Sequence, residues 1–63
     1  MIELNIQYTH YKNGLTYTPI NFCKIQEHDI WVEAVIYKTT SNELFVRSKK
    51  EFEEKFSKKL SKK

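Results

Sequence analysis

A single cysteine, glycine, proline and tryptophan in 63 residues set the first bounds on this chain. With Cys23 alone, no intramolecular disulfide, four-cysteine zinc site or Cys-x-x-Cys redox pair can form, which suits a reducing compartment. No apolar run approaches the ~20 residues needed to span a bilayer, and Met1-Ile2-Glu3 opens the chain without a basic leader. The expectation is a cytoplasmic chain with no membrane partner and no cofactor. Low-complexity filler is also missing, so residues 1–63 read as one domain, near the size at which a single core barely outweighs chain entropy.

Charge is unevenly placed. Residues 1–46 carry three lysines (Lys12, Lys24, Lys38) against five acids (Glu3, Glu27, Asp29, Glu33, Glu43), whereas residues 47–63 carry eight basic residues against three acids. The stretch 47–54 is balanced, so the basic excess sits in Lys55, Lys58, Lys59, Lys62 and Lys63.

What is present is mostly β-forming. Residues 30–37, Ile-Trp-Val-Glu-Ala-Val-Ile-Tyr, form the longest apolar run and predict the central strand. Ile30, Val32, Ala34 and Ile36 fall on one face, expected to be core. Trp31, Glu33, Val35 and Tyr37 fall on the other, expected to be half covered. Residues 2–8 alternate strictly, with Ile2, Leu4, Ile6 and Tyr8 on one side, as a half-buried strand would. Asn13-Gly14 predicts a type I′ turn folding Tyr11-Lys12 onto Leu15-Thr16. Pro19 lacks an amide hydrogen, and the apolar register shifts from Leu15 and Tyr17 to Ile20 and Phe22, so a bulge or edge position belongs there. Gln26–Asp29 closes a hairpin into the central strand, and Thr39–Asn42 makes the next turn. The strands expected are about 2–11, 15–26, 30–38 and 43–47.

Ser48-Lys49-Lys50-Glu51 is a capping box. It opens a helix predicted over about 49–60, with Phe52, Phe56 and Leu60 as an apolar stripe, Glu51–Lys55 and Glu54–Lys58 as i, i+4 pairs, and a frayed tail at 61–63. Such a stripe needs a surface to dock on. The whole reads as a mainly β (α+β) domain: a small antiparallel SH3-like partial barrel of four or five strands with one C-terminal helix. An open α+β sheet is the alternative. The first strand, with Glu3 as its only charged guard, is the expected exposed edge, and a homodimer and a monomer are equally compatible with that edge.

The segments Tyr8-Thr9-His10-Tyr11-Lys12-Asn13-Gly14-Leu15-Thr16-Tyr17, Val35-Ile36-Tyr37-Lys38, and Phe45-Val46-Arg47-Ser48 running into Phe52 and Glu53 resemble, in order, the small bacterial and phage domain of unknown function 1653. That family's pattern looks like Tyr-x-His-Tyr/Phe-Lys-Gly, a Val-Val-Tyr strand, and Trp-Val-Arg-Pro leading into a helix. The resemblance covers about residues 8–56 and implies an SH3-like fold and a non-enzymatic role. It departs at Phe22–Asp29, where the family carries an Ala-x-His-Thr-Glu-Thr type loop, and at Ser48, where proline is usual.

The resemblance and the chemistry place a ligand or partner site at His10, Lys12 and Arg47, because imidazole, ammonium and guanidinium suit an anion or carboxylate. Tyr11, Tyr17 and Trp31 would supply aromatic walls. The competing view is structural: Lys12 solvated, Arg47 paired with an acid, His10 bonded within its hairpin, and many rings packed in the core. Cys23, His10, His28 and Asp29 lack any spacing that would gather them for catalysis or metal binding. The function expected is a non-catalytic module docking on a protein partner as adaptor or inhibitor. Nucleic-acid binding through Lys55, Lys58, Lys59, Lys62 and Lys63 with Arg47 is the alternative. A third reading is an oligomer sequestering a small anionic or nucleotide-like ligand.

Overall fold

The computed structural model describes residues 2–58. Five strands and one helix follow in order: β1 (Tyr8–His10), β2 (Thr16–Glu27), β3 (Ile30–Lys38), β4 (Leu44–Ser48), α1 (Lys49–Lys55) and β5 (Phe56–Lys58). They make one antiparallel sheet in the order β4-β3-β2-β1-β5, a small partial barrel with α1 against β3, β4 and β5. Among the described residues no helix is long and apolar enough to cross a membrane.

The core lies on one face of this sheet. Ile2, Tyr8, Val35, Tyr37, Phe52 and Phe56 are buried together, with Tyr17 packed against them. Rings dominate: Phe52 and Phe56 stack at 4.2 Å, and Tyr37 sits 5.3 Å from each. Such pairs contribute about 0.5–1.5 kcal/mol each beyond the area they bury. The buried cluster lies on the face expected to be half covered, through Val35 and Tyr37, although Trp31 on it is 64% exposed; of the face expected to be core, Ala34 is buried and Ile30 is 62% exposed. Alternation separates two faces but does not say which one the chain will cover; α1, seven residues long, covers the Val35 side.

Three features follow the sequence closely. The β2–β3 register shifts between Pro19 and Asn21, a bulge where proline removes a ladder donor. Thr39 Oγ1 accepts from the amides of Ser41 and Glu43, which with Asn42 at φ 70° closes the β3–β4 turn. Ser48 Oγ accepts from Glu51 N at 3.2 Å as the N-cap of α1.

Other features depart from expectation. Pairing of the first strand begins only at Tyr8. Asn5, a residue that tolerates the left-handed region, takes φ 64°, donates to Pro19 O at 2.7 Å, and turns the chain so that Ile2 reaches the core while Ile6 stays 38% exposed. β1 is therefore internal, and the sheet edges are β4 and β5. The β1–β2 connection is a four-residue loop in which Gly14 alone takes positive φ, Gly14 N donates to His10 O, and Asn13 Oδ1 accepts from Leu15 N. The two-residue turn with both centres at positive φ, the type I′ signature, sits instead at His28-Asp29.

The helix is shorter than its apolar stripe predicts, ending at Lys55 instead of 60. Phe56 is extended and pairs with His10, while Lys55 O accepts from Tyr11 N and so satisfies a terminal carbonyl. Spacing at i, i+4 puts Phe52 beside Phe56 in a continuing helix, and the helix-to-strand junction keeps them stacked, so periodicity alone could not separate the two. Glu51 pairs with Arg47 and Lys58 with Glu3, in place of the expected Glu51–Lys55 and Glu54–Lys58 pairs. Leu60 and the tail at 61–63 lie outside the described residues.

Candidate functional site

Register places side chains from all five strands in a common cup. Tyr8 pairs with Tyr17, Tyr37 with Phe45, Val35 with Arg47 and His10 with Phe56, so alternation brings His10, Tyr17, Tyr37, Phe45 and Arg47 to the same face. With Asn13 and Phe56 they line a cavity of about 170 Å³.

His10 forms one wall. Its ring is edge-on to Phe56 at 4.7 Å and to Tyr17 at 6.4 Å, and Tyr11 stacks on it at 5.3 Å. Nδ1 accepts from Lys12 N at 3.0 Å, which assigns the neutral ring's proton to Nε2 and makes that nitrogen a donor. Burial, and then the charges of Arg47, Lys55 and Lys12, hold the imidazole below its ordinary value, so it is neutral at pH 7. Those three cations describe a positive potential at the cup.

Arg47 forms the opposite wall. Its Nε donates to Tyr37 Oη at 3.3 Å, Nη1 meets Glu51 Oε1 at 3.5 Å, and the guanidinium lies over the Phe56 ring at 5.6 Å. The Tyr37 bond, with Glu51 nearby, raises its pKa against the cost of burial. Asn13 Nδ2 reaches Tyr17 Oη at 3.4 Å, adding an amide and a hydroxyl at the rim. Among the described residues the lining contains no acid. A cup of this charge, with guanidinium, amide and imidazole donors in an aromatic wall, suits a carboxylate or similar small anion.

Of the residues predicted from sequence, His10, Tyr17 and Arg47 come together here. Lys12 does not line the cup; its amide orients His10, and its ammonium acts through space. Tyr11 is a rim residue, 61% exposed. Trp31 is elsewhere, 64% exposed near the β2–β3 turn. Asn13, Tyr37, Phe45 and Phe56 were not expected as site residues. Asn13 reads as a turn residue and Phe56 as part of a helical stripe, although Phe45 and Arg47 alternating on one strand is a signal that could have marked the wall.

The residues of the alternative sites are spread over the molecule, as far as they are described. Lys55 lies over the Tyr11 ring at 5.8 Å and Lys58 bonds Glu3 at 3.0 Å, while Lys59, Lys62 and Lys63 lie outside the described residues. Cys23 is midway along β2, His28 and Asp29 are at the turn after it, and His10 is on β1. No group of three His, Cys, Asp or Glu is placed to hold a metal among the described residues. A larger groove of about 380 Å³, lined by Phe22, Cys23, Lys24, Glu33 and Lys49, is crossed by a Lys49–Glu33 pair at 3.3 Å. That pair ties up Glu33 and Lys49, and Lys24 is the third charge on the lining.

Fold and site together define a small mainly β domain, an antiparallel partial barrel with an aromatic cup on its core face. Comparison with family models, curated proteins and solved structures finds no match to this chain.

Proposed function

We propose that this chain is a non-catalytic binding module that docks on a protein partner, as adaptor or inhibitor, by taking one carboxylate of that partner into the cup. The observation behind this reading is the convergence of His10, Arg47, Asn13 and Tyr17 inside an aromatic wall with no acidic lining. Arginine and tyrosine in a small, partly desolvated pocket are what protein interfaces use as anchors. Among the described residues the lining around His10 holds no acid, and its Nδ1 is committed to Lys12 N, which favours binding over proton transfer.

An amide NMR titration tests the reading, using an acidic peptide, its carboxamide counterpart and benzoate. Shifts at His10, Tyr17 and Arg47 that the carboxylate forms produce and the carboxamide does not are the expected result. Arg47→Gln should weaken binding by roughly 10- to 100-fold, the range of a charge-assisted hydrogen bond. Carboxylate affinity that survives this substitution would sink the proposal. Benzoate binding without peptide binding would turn the site towards small anions, and shifts produced only by an oligonucleotide would turn it towards nucleic acid.

A further inference from the structure

The cup occupies one face of the sheet; the opposite face of β2, β3 and β4 carries the longest aliphatic surface in the chain. Register pairs Ile25 with Val32 and Ile36 with Val46, and alternation adds Ile30 and Leu44 to the same side. Ile30, Leu44 and Val46 are 62%, 61% and 49% exposed. Near the middle the small residues Cys23 and Ala34 pair; Ala34 is buried, so the exposed aliphatic side chains stand on either side of it. On the reverse side of the same ribbon stand Lys24 and Glu33, with Lys49 of α1 bonded to Glu33, beside the exposed rings of Phe22 and Trp31. The aliphatic residues are thus gathered on the side turned away from the buried cluster, and the charges and two rings on the other.

We infer that this aliphatic face is closed in solution by a second copy of the chain. The charges at its two ends identify the occupant. Glu27 stands beside Ile30 at one end and Lys38 beside Leu44 at the other, and no charged residue lies between them on this side of β3. Ala34 is the midpoint of β3. A two-fold axis over Ala34, lying in the plane between two stacked sheets, runs the two β3 strands antiparallel. It brings Glu27 of each copy towards Lys38 of the other. An unrelated partner would need that charge order by coincidence; a second copy carries it by symmetry. A nine-residue β3 about 30 Å long, flanked by β2 and over its second half by β4, offers at most about 450 Å² a side, below the size of standard stable interfaces, so the dimer should be weak and form only towards hundreds of micromolar. Both cups then face outward on opposite sides, giving a bivalent module if they bind as proposed. The dimer does not depend on that proposal and can fail separately from it.

Sedimentation velocity on the full chain from about 5 to 500 μM tests the inference. Mass should double with concentration. Ile30→Glu, at a position exposed in the single chain, and Val32→Glu should each shift the midpoint at least tenfold while the amide spectrum stays folded. Glu27→Lys and Lys38→Glu alone should each weaken association about 3- to 10-fold, as rim charges do, and the double exchange should restore it. A monomer throughout the range overturns the inference. So does a dimer indifferent to Ile30→Glu, which would place the contact elsewhere, such as the β4 edge. Failure of the double exchange to restore association would overturn the proposed antiparallel register.

Discussion

The two ends of β3 behave in opposite ways. From Val35 to Lys38 the strand turns its ring-bearing side, with Tyr37, into a buried aromatic cluster under α1. From Ile30 to Ala34 the aliphatic residues lie on the other side, where Ala34 is buried next to the body and Ile30 is 62% exposed at the tip. Both halves alternate equally well. The difference comes from reach: a seven-residue helix is about 10 Å long and β3 about 30 Å, so α1 can roof only part of the strand. Beyond that roof, Lys24, Glu33 and the exposed rings of Phe22 and Trp31 take the helix side and the aliphatic residues take the other. The molecule is thus a compact body and a projecting two-stranded arm, which accounts for its extents of 45 × 22 × 20 Å.

If that division is right, equal-sized truncations should have unequal effects. Phe52→Ala removes a fully buried ring from the body and should cost about 3–5 kcal/mol. A domain of this length holds roughly 3–9 kcal/mol in total, so urea denaturation should find this variant largely unfolded at 37 °C. Trp31→Ala on the arm, the larger deletion, should change stability by about 0.5 kcal/mol or less. A comparable loss at both positions would erase the distinction.

Smaller effects sharpen the picture within the body. Gly14→Ala meets no atom within 4 Å but forces a side chain to φ +70°. It should cost about 1 kcal/mol by thermal denaturation, through backbone strain alone.

The cup adds a pH signature. His10 has a folded-state value below its ordinary 6.5, so between the two values the unfolded chain binds more protons, and stability rises with pH. The His10 contribution is present above pH 6.5 and is lost as pH falls through the folded value; His10→Gln should remove this slope from denaturation midpoints measured between pH 5 and 7. Carboxylate binding should respond in the other sense. A bound anion beside Arg47, Lys55 and Lys12 favours the charged ring, so affinity should rise as pH falls, although Glu51 on Arg47 moderates the field.

How much of this was legible depended on whether the deciding physics was local. The Pro19 bulge, the Ser48 cap and the Thr39–Asn42 turn are each set by one residue's backbone chemistry, and all three could be read. The early strand failed at Asn5, because strict alternation outweighed a residue equally suited to turns. The type I′ turn fell at His28-Asp29 instead of Asn13-Gly14 because all of these residues tolerate positive φ, and pairing of Glu27 with Ile30 decided the matter. Phe56 could not be resolved into helix or strand without knowing that β1 had an unsatisfied edge. The site was half visible. His10, Tyr17 and Arg47 stand in short motif-like segments, whereas Tyr37, Phe45 and Phe56 join them only through register. Trp31 drew attention by its chemistry and lies on the arm.

The inverted sidedness of body and arm is tested most directly by methyl NMR with a soluble paramagnetic probe, at a concentration low enough to keep the chain monomeric and again at about 0.5 mM. The account predicts that Val35 methyls are protected at both concentrations, while those of Ile25, Ile30, Val32 and Val46 are bleached when dilute and protected when concentrated. Protection of the Ile30–Ile36 side in the dilute monomer, with Val35 bleached, would contradict it.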